Sequence, residues 1–336
     1  MPIRIATCNI ENLLQRFDFY IYGQLTVERA LRVLGVESTD PDYFDLRRSL
    51  FVSLTDDSRQ QTAQVVRDTG ADIICLQEVD NIDVLNLFHD RYLKQSTGVN
   101  YGWRRLVDGN DNRGIDVAVM SKQRIDPPVS HAEHTFDDFG LFNQALEDYG
   151  FSPGDKIFRR DCLEVDTKVD NKPLTLFICH FKSMSNGRDE TMPVRRAEAA
   201  AVRHIIEARF PDPAQADWLI AGDLNDYTRD LAGNPVSPHG LEPLFDGGFA
   251  ANLVDNLPAN GRWTHFFPSE QSFHQLDYLL ASPALAAKNP GVQPDIVRAG
   301  QPYRVPGLET LTRYPRVGFD RPKASDHCAV AVTLNV

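Results

Sequence analysis

"DWLIAGDLNDYT", residues 217–228, sets an apolar run directly against a turn carrying Asp223, Asn225 and Asp226. The run reads as a buried strand and the turn as its end. Acidic groups recur at such places: Glu78 follows "ICLQ", Asp277 lies inside "HQLDYLL", Asp326 stands in "KASDH", and Asn9 ends the first strand-like stretch, "IRIATCNI". If these strand ends converge on one edge, several carboxylates share a small volume, and their repulsion raises their pKa values unless a cation sits among them. Carboxylate and amide oxygens favour Mg²⁺, with Mn²⁺ as a substitute, over Zn²⁺, which asks for His or Cys at tetrahedral spacing. A helix cap or a tightened turn is the plain structural alternative for Asp223 and Asn225 taken alone.

Around this stretch the chain alternates strands with helices. "IRIATCNI" is followed by a polar, irregular segment from about 18 to 55, then by a helix through Ala63, Val65 and Val66 that stops at Gly70, then by the strand "DIICLQEV". "YGWRRLVD" and "GIDVAVMSK" flank the turn-rich "GNDNRG" and predict a hairpin. "RDCLEVDTKVDNKPLTLFICHF" predicts a second, turning at "DNKP". A helix from about Val194 to Arg209 leads into "DWLIAGDL"; "RWTHFF", "HQLDYLLA" and "CAVAVTLNV" read as closing strands. The two halves repeat one logic, which predicts two mainly antiparallel sheets packed face to face with helices outside. No low-complexity linker divides the 336 residues, so one domain is expected, with insertions at about 18–55, 126–154 and 283–322.

The bulk numbers narrow the function. Forty-two per cent hydrophobic and 24% charged residues suit a folded, enzyme-sized chain and exclude a disordered one. A net charge of −12 removes any global attraction for polyanions, so a nucleic-acid contact needs a local basic patch. The arginine pairs Arg104/Arg105, Arg159/Arg160 and Arg195/Arg196 are, each taken alone, as readily solvated as phosphate-facing. Five cysteines, odd in number and without CxxC spacing, lie in apolar stretches and suit a reducing compartment. The opening "MPIRIATCNI" has no basic segment followed by a long apolar run, no stretch approaches membrane length, and a cytoplasmic location is expected.

His180 ends "LTLFICH" and His327 follows Asp326. A lone histidine is more often structural than catalytic. Beside a carboxylate cluster, two imidazoles and an Asp-x-Asn turn make a kit for cleaving a phosphate ester, combining a Lewis acid, general acid/base groups and oriented donors. Trp263 and His265 in "RWTHFF" read as sheet packing, and His131, His134, His239 and His274 receive no role.

"TCNIEN", "LQEV", "RGIDVAVMSK", "HFKS", "GDLND", "LDYLL" and "SDH", in this order, resemble the blocks of the endonuclease/exonuclease/phosphatase superfamily, and the likeness runs from residue 3 to 332. That superfamily takes in pancreatic-type deoxyribonuclease, apurinic endonucleases, bacterial sphingomyelinases and inositol polyphosphate 5-phosphatases. The resemblance implies a four-layer α/β/β/α sandwich with the active site at one edge of two packed mixed, mainly antiparallel sheets. It implies Asn9, Glu78 and Asp326 on the metal side, Asp223 activating or positioning water, Asn225 holding a phosphate oxygen, and His327 oriented by Asp277. By the same likeness His180 is a general acid or phosphate stabiliser, while Lys182 and Arg113 are candidates for phosphate contact. Asp116 has no assigned role.

Three functions compete. The first is a Mg²⁺-dependent phosphodiesterase acting on DNA or RNA, with no stable protein partner implied. The second keeps the chemistry on a phospholipid headgroup or small phosphate ester; lipid-active relatives carry an export signal and an exposed aromatic hairpin, neither clear here. The third is a catalytically inactive binding module, which would lose a metal carboxylate or a histidine; all are present.

Overall fold

A computed structural model of the chain describes residues 1–13, 35–41 and 43–336, with 44–56 as backbone alone. Fourteen strands are present among the described residues: β1 (Ile3–Leu13), β2 (Ile73–Val79), β3 (Trp103–Leu106), β4 (Asp116–Ser121), β5 (Val129–Ser130), β6 (Cys162–Val169), β7 (Lys172–His180), β8 (Trp218–Asp223), β9 (Ala251–Asn252), β10 (His265–Phe267), β11 (Ser272–His274), β12 (Asp277–Ala281), β13 (Asp295–Val297) and β14 (Ala329–Leu334). They form two six-stranded sheets, β13-β14-β1-β2-β4-β3 and β5-β6-β7-β8-β12-β9, with β10 and β11 as a separate hairpin. In each sheet one central pair, β1·β2 or β7·β8, is parallel and the other pairs are antiparallel. Each parallel pair is joined by a crossover helix, α1 (Tyr43–Thr69) or α2 (Arg188–Arg209).

Period-two alternation builds four layers. Ile5, Ile73, Cys75, Val117 and Val119 of the first sheet face Leu163, Val165, Leu176, Ile178, Leu219 and Leu279 of the second in one buried core. The residues between them point outward: Ala6, Ile74, Leu76 and Met120 pack on Ala63 and Val66 of α1, and Phe177, Ile220 and Leu280 pack on Val194, Val202 and Ile206 of α2. The α/β/β/α sandwich follows from these three apolar interfaces.

Both expected hairpins are present, β3–β4 and β6–β7. In the second, Val169 pairs with Lys172, leaving Asp170 and Asn171 as a two-residue turn with φ of 49° and 66°. Both residue types tolerate that left-handed backbone, which matches the strand twist. Helix α1 starts at Tyr43, inside the segment to about 55 expected to be irregular, because propagation costs little once the amphipathic part is packed. The rest of the expected 18–55 insertion, up to residue 34, lies outside the described residues. Helix α2 also starts early, at Arg188, and runs through Pro193. The carbonyl deprived of a partner there belongs to exposed Asp189, where water can satisfy it.

The 126–154 segment carries β5 and short helices, with Phe136 and Leu146 buried against the outer face of the second sheet. Residues 283–322, read as a loop, include helix α3 (Pro283–Lys288) and strand β13. Ser282 caps α3 by accepting the Leu285 N–H at 3.1 Å, and Pro283 suits the first helical turn. All five cysteines are buried and unpaired. Among the described residues no helix is long and apolar enough to cross a membrane.

Candidate active site

The topology gathers the acidic groups. The parallel strands β1, β2, β7 and β8 all end at one edge of their sheets, and the antiparallel neighbours β4, β12 and β14 begin there. Asn9, Glu78, His180 and Asp223 therefore meet the starts of β4 at Asp116, β12 at Asp277 and β14 just after His327. Asp277 lies directly opposite Asp223 in the ladder, and His180 is in register with Asp223 on the other side.

Two bulges aim the side chains of the first sheet. The β1·β2 register slips between Asn9 and Leu13, where Glu11 and Asn12 take φ of 47° and 60°. The β2·β4 register slips at Glu78, whose φ is 68°. Left-handed backbone on a glutamate is a conformational cost, and a bulge turns a side chain out of the alternation it would otherwise follow. Glu78 accepts the Asn12 N–H at 2.9 Å and the Asn9 amide at 3.3 Å, so both bulges serve the same carboxylate.

Asp223 Oδ2 is the focal atom. It accepts the Asn9 side-chain amide at 3.0 Å and lies 3.5 Å from His180 Nε2 and 3.6 Å from His327 Nε2. Its partner oxygen accepts the Asn225 N–H at 2.9 Å, and the Asn225 amide donates to the Phe181 carbonyl at 3.1 Å. Asn225 holds this turn with φ of 51°. His327 is oriented from behind by Asp277, Nδ1 to Oδ2 2.8 Å, and Ser325 supports the loop by donating to the Asn9 carbonyl at 2.7 Å.

The two imidazoles are electrostatically unlike. Burial, then Arg160 and the neighbouring His327, push His180 well below the usual histidine range, so it is neutral. Burial also opposes charge on His327, but Asp277, Asp223 and Asp326 outweigh it and hold its pKa well above the usual range. Burial raises Asp223 to about 7, and burial and Asp326 raise Glu78. One acceptor-rich carboxylate thus stands between a charged imidazole and a neutral one.

The remaining expected residues divide. Asp326 is half-exposed, 3.8 Å from His265 Nε2 and 4.0 Å from the Lys323 ammonium. Lys182 is half-buried, its ammonium directed at the Ser183 carbonyl at 3.4 Å and its backbone N–H held by Glu198 at 2.7 Å. Arg113 is exposed and joined to Asp111 at 3.0 Å.

Other groups enter that the sequence reading did not assign. His265, read there as packing, meets the His327 ring edge-on at 4.7 Å. Buried Arg160 binds Asp111 at 3.0 Å and the Phe181 carbonyl at 3.0 Å, and its charge acts on both His180 and Glu78. Glu11 holds Arg321 at 2.6 Å and Lys323 at 3.0 Å. Asp226 anchors the Asp223–Asn225 turn to α2 through Arg188 at 2.7 Å and fully buried Arg195 at 3.1 Å. Glu11 and Asp226 stand inside motifs already quoted; Arg160 had only its doubled arginine as a signal.

The donor set suits a divalent cation. Asp223 and Asp277 crowd within 4.8 Å of His327, as do Asp326 and His265, but His327 in its charged form offers no lone pair, which leaves the carboxylates as the candidate ligands. Glu78 belongs to neither group but shares the Asn9 amide with Asp223, and Asp326 lies near enough to raise its carboxyl, a repulsion that a cation between them would relieve. Asp277 Oδ1 is buried with no hydrogen-bond partner, an acceptor that a cation or water would satisfy.

The family model described as "Endonuclease/Exonuclease/phosphatase family" matches residues 51–327. Among solved structures, truncated Caenorhabditis elegans TDP2 aligns over 100% of this chain and 98% of its own at 16% identity, TM-score 0.54. SmcL aligns over 99% of each chain at 14% identity, TM-score 0.59. An endonuclease/exonuclease/phosphatase family protein from Leptotrichia buccalis aligns over 99% and 100% at 12% identity, TM-score 0.55. At these identities the likeness concerns the fold. No curated protein matches the sequence.

Proposed function

The chain belongs to the endonuclease/exonuclease/phosphatase family, whose members are generally metal-dependent phosphoester hydrolases, and from that premise we propose that it is a Mg²⁺-dependent phosphodiesterase that cleaves DNA or RNA. The observation that carries the reading is the convergence of Asn9, His180 and His327 on the single oxygen Asp223 Oδ2, from strands of both sheets.

In this reading Asn9, Glu78 and Asp326 hold the cation, which supplies Lewis-acid stabilisation of charge on the phosphoryl oxygens when bound. Asp223 orients the attacking water and takes its proton, with its second oxygen pinned by the Asn225 N–H. Protonated His327, fixed by Asp277, faces the phosphate as a donor, and neutral His180 adds a second. Lys182 and Arg113 supply positive charge at the rim. The net charge of −12 limits duplex affinity, so a short or single-stranded substrate suits the molecule better than a long duplex.

The test measures purified protein with Mg²⁺, Mn²⁺ or EDTA on supercoiled plasmid, single-stranded DNA, RNA, sphingomyelin and bis-p-nitrophenyl phosphate, beside Asp223→Asn and His327→Ala. Nucleic-acid cleavage abolished by EDTA and lowered at least about 10²-fold in both variants is expected. Lipid turnover with intact nucleic acid would replace the substrate assignment, and no metal-dependent hydrolysis of any substrate would leave a binding module.

A further inference from the structure

A row of rings leads away from the carboxylate cluster. Strands β10 and β11 pair His265 with His274, Phe266 with Phe273 and Phe267 with Ser272. Phe266 and Phe273 occupy one face of this hairpin, packed with Trp263, Val305 and Cys328. His265, Phe267 and His274 alternate onto the other face. That second face begins at His327, with which His265 also makes an isolated backbone bridge.

From there the rings follow one another. Phe267 lies 4.3 Å from His265 and 5.5 Å from His274; His274 stacks on Tyr227 at 3.9 Å; the Arg188 guanidinium covers Tyr227 at 4.4 Å. Tyr227 follows Asn225 by two residues, so the row starts and ends on the catalytic loops. His274 and Tyr227 are engaged face to face. Half-buried Phe267 meets its two neighbours tilted, at 54° and 67°, rather than in a parallel stack. Burial pushes His274 down to about 4, so its ring is neutral near pH 7. The hairpin tip, Pro268 to Gln271, is polar and carries Glu270, a poor match for the interior of a bilayer.

We propose that Phe267 is a stacking residue for the substrate: it receives one base of a single-stranded nucleic acid beside the phosphate held at Asp223, and the flanking His265 and His274, the latter backed by Tyr227, keep its ring in place. The assignment rests on the nucleic-acid reading above. It also answers the charge problem, since stacking supplies affinity that an acidic protein does not gain from phosphate contacts, and it accepts any base because each has a π-face.

The test compares binding, by fluorescence anisotropy in EDTA, of a labelled single-stranded DNA octamer and the same octamer with tetrahydrofuran abasic residues in place of its nucleotides. Wild-type protein is expected to bind the base-bearing strand roughly 5- to 50-fold tighter. That preference falls to near unity in Phe267→Ala and in Phe267→Leu, which keeps apolar volume without a ring, and survives in Phe267→Trp. Equal binding of the two strands by wild type, or equal weakening of both strands in the Ala and Leu variants, overturns the assignment. Bis-p-nitrophenyl phosphate hydrolysis, with Mn²⁺, is scored separately on the wild type. Base preference without hydrolysis would retain the stacking site and remove the phosphodiesterase, and hydrolysis without base preference would do the reverse.

Discussion

Asp116 and Asp277 are both buried acids at strand starts, yet they have opposite surroundings. Asp277 faces His327 and stabilises its charged form. Loss of that partner through Asp277→Asn is expected to lower kcat by about 10²- to 10⁴-fold with little change in KM, and the double variant with His327→Ala should be no slower than His327→Ala alone. Steady-state kinetics of the three variants checks this. Asp116 accepts the Gly109 N–H at 2.8 Å, but burial outweighs it and, with Asp108, Asp111 and Asp161, raises the carboxyl to about 6. The folded state therefore binds its proton more tightly than the unfolded chain, whose aspartates titrate near 3.9. Stability from this group is present below about pH 4 and lost as pH rises through 6. Asp116→Asn is expected to raise stability by up to about 3 kcal/mol at pH 7.5 relative to wild type and to lose that advantage at pH 4. Thermal melts at the two pH values decide the matter, and a difference independent of pH would contradict it.

At the scale of elements, the Asp223–Asn225 turn is held as much from behind as by its own strand. Gly222 precedes Asp223, and a Cβ there would come within 1.9 Å of the Cys179 carbonyl, so glycine lets β8 lie against β7. Asp226 then ties the turn to α2. Asp226→Ala would leave Arg195 buried without its carboxylate, a loss of about 3–5 kcal/mol measurable by urea unfolding. A change within about 0.5 kcal/mol would mean that the tie is not structural. The long strands and both hairpins were legible because alternation and turn residues are local signals, whereas the two- and three-residue strands β5, β9, β11 and β13 are too short to show a period. The starts of α1 and α2 were not, because helix ends follow packing and solvation of nearby backbone rather than the apolar period alone.

Over the whole molecule, the site is the seam between two sheets, with Asn9 and Glu78 on one and Asp223, Asp277 and His180 on the other. One core faces both sheets, and we propose that residues 1–336 fold as a single domain, expected to unfold in one calorimetric transition. A cation held by Asn9, Glu78 and Asp326, which only the fold brings to one sheet edge, would bind only the folded chain. Mg²⁺ or Mn²⁺ at 100 times its Kd should therefore add about 2.7 kcal/mol of stability, read as a rise in Tm over EDTA that Glu78→Gln and Asp326→Asn abolish. By itself the sequence determined the strand–helix alternation, the family blocks and the acidic strand ends, because apolar periodicity, turn chemistry and motif order are carried by neighbouring residues. Tertiary structure alone decided which charges meet. The bulge that turns Glu78 toward Asn9, the burial of Arg160 and Arg195, and the ring contact of His265 with His327 depend on segments tens to hundreds of residues apart, and no local pattern encodes the dielectric or the neighbours that such groups acquire on folding.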